Sequence, residues 1–277
     1  MPDIYNKLLD KKRKNMSLKI NHYSLLKSIP RKKHRKIIKL SNIKIPFIGE
    51  DIWTLYELSW LNKKGLPKIA VAKIKININS INIIESKSFK FYINSFNEKK
   101  IDNHTKLIEI LKHDLSKCVI GKVSVELFNL NQIKDQKISN FKGFCIDNQN
   151  IEIKCYTYNP SFLINAFKKT IIQESLYSHL LKSNCPITKQ PDWASIQIIY
   201  TGQAIDHSGL LSYLISFRYH NEFHEECVER IFNDIKNICK PQKLSIYAKY
   251  TRRGGIDINP WRSDTYYSPC LIRMARQ

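Results

Sequence analysis

The feature that most constrains this chain is a switch of hydrophobic period, from two to about 3.6 and back, that occurs twice along its length. From Ile69 to Ile78 the residues alternate, with Ile74, Ile76 and Ile78 on one side and Lys73, Lys75 and Asn77 on the other, which predicts a half-buried strand. Beginning at Glu85, the apolar residues Phe89, Tyr92, Ile93 and Phe96 instead fall at i, i+3, i+4 and i+7, the stripe of an amphipathic helix. A further helix is expected from Thr105 to Lys117 on Leu107, Ile108, Leu111 and Leu115, followed by a strand from Lys122 to Phe128. The second half repeats this grammar. Ile196, Ile198 and Tyr200 alternate, and so do Leu211, Tyr213, Ile215, Phe217 and Tyr219 in what reads as the next strand. Phe223 to Cys239 carries Val228, Ile231, Phe232 and Ile235 on one helical side, and Leu244 to Tyr250 reads as another strand. Ser175 to Leu181 fits either period, and residues 131–160 read as a strand or two plus the passage between halves. Residues 1–44 are basic and weakly patterned, an arm or peripheral wrapping.

A chain of 277 residues is long enough for one large or two ordinary domains, and 43% hydrophobic with 11% aromatic residues excludes disorder as the default. The formal net charge of +22 invites a nucleic-acid reading, because clustered cations neutralise phosphates. The lysines, however, are spread through the whole chain beside an excess of Ile and Asn, residues that share A/T-rich codons, so compositional drift accounts for much of the charge. The densest run, Arg31 to Lys36, is expected to be a solvated segment rather than a recognition element. Seven scattered cysteines without a Cys-x-x-Cys pair argue against a disulfide framework and a zinc knuckle, so no metal is expected. The first residues hold no apolar signal-like stretch and no apolar run approaches the ~20 residues that cross a bilayer. A cytoplasmic, reduced protein with no membrane contact is expected.

The segment from Ser183 to Trp193 places a thiol, Cys185, and a carboxyl, Asp192, close together, with Pro186 and Pro191 expected to hold the segment out of helix and sheet pairing. Asp192 has the chemistry to take a proton from the thiol or give one to whatever the sulfur attacks. A half-buried thiol in a polar loop fits the same letters. Glu85 and Glu225 each extend the apolar stripe of a helix at its opening turn, at what read as matching places in the two halves. One reading is favourable placement at a helix N-terminus. The other is a shared ligand that carries several N–H donors, since a carboxylate in line with a core-facing stripe requires a partner. His224 is open between a satisfied core imidazole and a ligand or proton carrier. Arg252-Arg-Gly-Gly255 ends a strand with cations and then permissive backbone, either a phosphate grip or an exposed turn. No Gly-x-Gly-x-x-Gly is present, so a dinucleotide here is not held in the Rossmann manner.

Four motifs in order carry a family likeness. Glu85-Ser-Lys-Ser-Phe-Lys-Phe-Tyr92, Ser183-Asn-Cys-Pro-Ile-Thr-Lys-Gln-Pro-Asp-Trp193, Phe223-His-Glu-Glu-Cys-Val-Glu-Arg-Ile-Phe232 and Tyr250-Thr-Arg-Arg-Gly-Gly-Ile-Asp-Ile-Asn-Pro-Trp-Arg262 resemble the signatures of the NADPH-dependent 7-cyano-7-deazaguanine reductases, the nitrile-reducing enzymes of queuosine biosynthesis. The chain is similar to the long form of that family from about Ile45 to the C-terminus, while the arm before Ile45 matches poorly.

The resemblance implies an α+β fold of two tandem tunnelling-fold halves, antiparallel sheets with helices packed on one face, divided as an arm at 1–44, a first half at 45–165 and a second at 166–277. It implies Cys185 as nucleophile, Asp192 as proton donor and His224 beside them, with Ile84, Glu85, Ser86, Phe223, His224 and Glu225 around the deazaguanine. Ser86, Lys87, Arg253 and Gly254 match the NADPH contacts, and a homodimer is implied. Two readings compete. A cyclohydrolase of related fold needs a metal-bound water, for which the Cys and His spacing offers no ligand set. A non-enzymatic basic RNA-binding module rests on the charge alone, whereas the family reading expects no direct nucleic-acid partner.

Overall fold

The computed structural model describes residues 22–40, 45–133, 137–166 and 170–277. The expected arm therefore lies outside the described residues at 1–21 and 41–44. Its described part forms a short strand β1 (Ser28–Pro30) and a helix α1 (Arg31–Ile37).

Two long antiparallel hairpins dominate the molecule. β2 (Ile48–Leu61) pairs with β3 (Pro67–Asn77), and the ladder slips once between Leu55 and Leu58. β4 (Asn82–Ile84) pairs with β1 and leads into helices α2 (Ser86–Asn94) and α3 (His104–Val119), after which β5 (Val123–Phe128) adds to β3. A two-residue strand, β6 (Phe144–Cys145), lies parallel to the second hairpin, β7 (Ile171–Asn184) with β8 (Pro191–Gln203), whose ladder slips between Ser178 and Leu181. Helices α4 (His207–Ser216) and α5 (His224–Ile238) follow, then β9 (Lys243–Tyr250) and β10 (Ile256–Ser263). The long strands join in one eight-stranded sheet of order β5-β3-β2-β10-β9-β8-β7-β6. Each half thus carries hairpin, two helices and a following strand, the tandem tunnelling-fold plan of the α+β class.

The halves meet where β10 pairs with β2, from Ile256 opposite Leu55 to Ser263 opposite Ile48. All four long helices cover one sheet face. Trp53, Leu55, Ile74, Phe89, Phe96 and Leu111 form the first core, and Leu181, Ile196, Leu214, Val228, Phe232 and Ile246 the second. Alternation explains the strands: Ile74, Ile76 and Ile78 are 1% exposed as expected, while Lys73 and Lys75 point to the other face. That face is covered only in part, by Phe141, Ile272 and Met274 against Ile52, Tyr247 and Trp261. No helix among the described residues is long and apolar enough to cross a membrane.

Three expectations are corrected. Leu211 to Tyr219 is not a strand but α4 and a 3-10 turn. Asp206 caps the helix through Gly209 N, and Leu210, Leu211, Leu214 and Phe217 are all buried, so a helix apolar on most sides was indistinguishable from a strand by period. The run from Arg31 to Lys36 is not simply solvated. Arg31, His34 and Arg35 lie on the buried face of α1, while Lys32, Lys33 and Lys36 are exposed. Arg31 pairs with Asp51, Arg35 with Glu229 at 2.8 Å, and His34 with Glu222 at 2.8 Å, partners too distant in sequence to be seen in the run. Pro191, finally, does not keep its segment out of the sheet. It is the first residue of β8, opposite Asn184 and before the pairing with β9 begins at Ala194, so its missing N–H costs no ladder bond there, and Asp192 pairs with Ser183 inside the ladder.

Arg262, fully buried, ties the seam by donating to Asp51 Oδ1 at 2.8 Å and Glu229 Oε1 at 3.1 Å. Burial alone would raise the Glu229 carboxyl, but Arg262, Arg35 and Arg31 outweigh it and hold it down at about 2.

Candidate active site

The first turn of α2 is built on Glu85. Its carboxylate accepts from Lys87 N at 2.9 Å and Ser88 N at 2.7 Å, so it caps the helix rather than extending the apolar stripe. The cap also fixes Ser86, Lys87 and Lys90 at the start of the helix, where the dipole favours an anion.

Opposite stands the tip of the β7–β8 hairpin. Cys185 N donates to Gln190 O at 2.9 Å and Lys189 N donates to Cys185 O at 3.0 Å, closing a tight turn with Lys189 at a φ of +59°. The tip is clasped from outside. Asn184 N donates to His220 O at 2.8 Å, and Glu222 N donates to Asn184 O at 3.0 Å. Glu222 is anchored in turn by Arg230, His34 and His220. Cys185 is consequently 5% exposed, a buried thiol at a hairpin tip.

Between these elements lies a cavity of about 380 Å³. Glu85, Ser86, Lys87 and Lys90 line it from the first half, Cys185, Asp192, His224, Arg253 and Gly254 from the second, with Ile256 and Ile258 as apolar wall. Glu85 and Cys185, far apart in the chain, thus share one pocket.

The electrostatics of this pocket are uneven. Asp192 Oδ1 is ion-paired with Arg253 Nη1 at 2.9 Å, while Asp192 Oδ2 is buried without a hydrogen-bond partner. Burial pushes the Asp192 carboxyl up to about 6 despite the pull of Arg253 and Lys182. His224 Nε2 lies 3.7 Å from Asp192 Oδ1 and its ring packs edge-on to Tyr250 at 4.1 Å. Burial, with Arg253 nearby, lowers the imidazole to about 3, so His224 is neutral at neutral pH and its contact with Asp192 is not a charge pair. Glu225 is 2% exposed and sits behind the pocket wall. Burial and the neighbouring Asp51 raise its carboxyl, and Arg31 only partly opposes them.

The expected site residues are therefore placed unequally. Cys185, Asp192, His224, Glu85, Ser86, Lys87, Arg253 and Gly254 converge on the cavity. Ile84 is packed in the first core, Phe223 is a half-buried N-cap and Glu225 is buried, so these three do not line it. Nor do Glu85 and Glu225 occupy matching places. Glu85 caps the first helix of its half, and its counterpart is Asp206 on α4, whereas Glu225 opens the second helix of the other half. Misreading α4 as a strand produced the false match. Lys90 was missed, although its position three after Lys87 and four after Ser86 puts it on the same helix face. The Asp192–Arg253 pair had no sequence signal.

Comparison with known proteins decides the family. Residues 19–127 match the profile described as nitrile reductase, 7-cyano-7-deazaguanine-reductase N-term, and residues 191–267 match the one described as QueF-like protein. An NADPH-dependent 7-cyano-7-deazaguanine reductase from Buchnera aphidicola subsp. Schizaphis graminum (strain Sg) is 66% identical over 262 residues, which cover 95% of this chain and 100% of the relative. The chain belongs to the NADPH-dependent 7-cyano-7-deazaguanine reductases. The reductase likeness begins before Ile45, since the first profile starts at residue 19, and the buried face of α1 supplies a physical reason for it. A solved structure, the archaeosine synthase QueF-Like in the apo form, overlaps 36% of this chain and 99% of that chain at 17% identity, with a TM-score of 0.31 that bears no argument.

Proposed function

We propose that this reductase converts the nitrile of 7-cyano-7-deazaguanine to the primary amine, 7-aminomethyl-7-deazaguanine, through covalent addition of Cys185 and two hydride equivalents from NADPH. The observation that carries the reading is the meeting of a buried thiol, a carboxyl of raised pKa and a capped helix N-terminus in one cavity.

One proton serves the addition. Asp192 takes it from the Cys185 thiol as sulfur bonds to the nitrile carbon, and gives it to the nitrogen as one C–N π bond breaks, leaving a thioimide. A carboxyl near 6 is matched to both transfers. Arg253 holds Oδ1, which leaves the unpartnered Oδ2 for the proton. The base is held by groups that do not react. Glu85 spends one bond per oxygen on the helix and keeps lone pairs for donors of the deazaguanine, and neutral His224 presents an imidazole beside it. Ile84, Phe223 and Glu225 act on the base only through the residues they support, Ile84 beside Glu85 and the other two on either side of His224.

The pocket fits NADPH on its own terms. Lys87 and Lys90 are cations on the first turns of α2, Arg253 lines the same cavity from the β9–β10 turn, and Gly254 turns at a φ of +61°, which suits close approach of backbone to a ligand. Ser86, Lys87, Arg253 and Gly254 would hold the phosphates. When bound, NADPH supplies hydride to the carbon that Cys185 has activated. The protein is a homodimer acting in the cytoplasm, with the chain divided as an arm at 1–44 and halves at 45–165 and 166–277; sedimentation of purified protein as a monomer would overturn the dimer.

The deciding experiment mixes protein with 7-cyano-7-deazaguanine in the absence of NADPH and measures intact mass. An adduct of the nitrile's mass is expected, lost in Cys185→Ala. An adduct that persists in Cys185→Ala would remove the thiol from its role.

A further inference from the structure

A second cavity, of about 420 Å³, opens on the helix-free face of the sheet, and nothing in the nitrile chemistry uses it. Its walls are of two kinds. Ile52, Val71, Phe128, Leu271 and Ile272 make an apolar side. Lys73, Lys249, Arg252 and Arg273 bring four cations, against one carboxylate, Asp257. That carboxylate is already engaged, accepting from Tyr56 Oη at 2.7 Å and from Asn259 Nδ2 at 2.7 Å.

Polar groups are left over around the same space. Lys249 is 6% exposed, yet its ammonium has no hydrogen-bonded or ion-paired oxygen among the described residues, and lies 5.8 Å from the Tyr247 ring centre. Tyr247 Oη and Gln277 Oε1 are buried with no hydrogen-bond partner. The nearest carboxylate to Lys249 is Asp257, whose oxygens are already engaged by Tyr56 and Asn259, so the ammonium is only partly answered. Four cations around one carboxylate that is already engaged leave this cavity with positive charge unanswered, which an anionic occupant would meet. Water would answer the polar groups but leave the apolar wall wet.

We propose that this cavity binds a small organic anion, a carboxylate or phosphate ester carried on a flat apolar body. The anion sits at Lys249 with Lys73 beside it, Arg252 and Arg273 complete the cationic rim, and the body lies along Ile52, Val71 and Phe128. The site is separate from the nitrile pocket. The neighbours Arg252 and Arg253 line different cavities, one each.

The test titrates the full chain with 1-naphthyl phosphate and with 1-naphthoate, following naphthyl fluorescence anisotropy. One-to-one binding of at least one probe is expected, weakened tenfold or more in Lys249→Met and in Lys73→Met and unchanged in Arg253→Met; the tighter probe identifies the anion. Should Lys249→Met fail to fold, Lys73→Met carries the test. Binding of neither probe, or binding that is lost with Arg253 and retained without Lys249 and Lys73, would overturn the proposal.

Discussion

In the first half the long hairpin turns at Asn62 to Leu66, where Asn62 Oδ1 accepts from Lys64 N and Leu66 N and no residue of the turn is buried. In the second half the corresponding hairpin turns at Cys185 to Gln190, and its tip is clasped by His220 and Glu222. Strand length, bulge position and following helices are alike. What differs is what lies against the tip. A turn left in water is only a turn, while one covered by a second element gains a desolvated thiol and a carboxyl pushed up to about 6. On the proposed mechanism the halves divide the labour, the second holding the reacting groups and the first presenting a helix N-terminus to bind what reacts.

This division is open to attack at several points. The largest expected effect is on Asp192→Asn, which should slow adduct formation by about a hundredfold or more while leaving the fold intact. The parent's rate should fall as pH drops through about 6, because below that value the Asp192 carboxyl holds its own proton and cannot act as base. The acid limb should vanish in the variant. Stopped-flow traces over pH would show both, and an unchanged limb would place the titrating group elsewhere.

Arg262→Met tests whether the halves depend on their seam. It removes one charged partner each from buried Asp51 and Glu229, which keep Arg31 and Arg35, and should cost about 1.5–3 kcal/mol in urea unfolding. A loss below about 1 kcal/mol would mean that the β10–β2 ladder and packing suffice.

Glu225→Gln separates binding from structure. The parent carboxyl is raised by burial, so the parent loses stability as pH climbs from the ordinary carboxylate range toward that raised value, and Gln does not. The variant should gain on the parent with rising pH yet bind 7-cyano-7-deazaguanine more weakly by about 1.5–3 kcal/mol, read by calorimetry. Equal affinity would leave Glu225 a structural residue.

The smallest expected effect belongs to the first half. Lys90→Met should raise KM for NADPH about three- to tenfold with kcat little changed, since Lys90 is partly solvent-screened and only weakly engaged by Glu57 at 3.9 Å. A fall in kcat alone would assign Lys90 to the second half's chemistry.

Much of this was legible beforehand. The alternation around Ile74 and the stripe Phe89, Tyr92, Ile93, Phe96 gave strand and helix because each element must bury one face. The four motifs contain the residues that line the cavity. Leu211 to Tyr219 was misread because a helix buried on most sides has lost its polar face, the signal that marks its period. Arg31 and Arg35 were misread for the reverse reason, a charged face that is buried on acids far away in sequence.

The sequence by itself determined most of the elements and the family, because period and motif are local properties carried by residues near one another in the chain. Only the tertiary structure decided that Glu85 and Cys185 share a cavity, that Asp192 answers to Arg253, and that three arginines of the arm and seam are buried on Asp51 and Glu229. Desolvation and charge pairing act through space, so their partners and the pKa shifts they cause exist only once distant segments have been brought together.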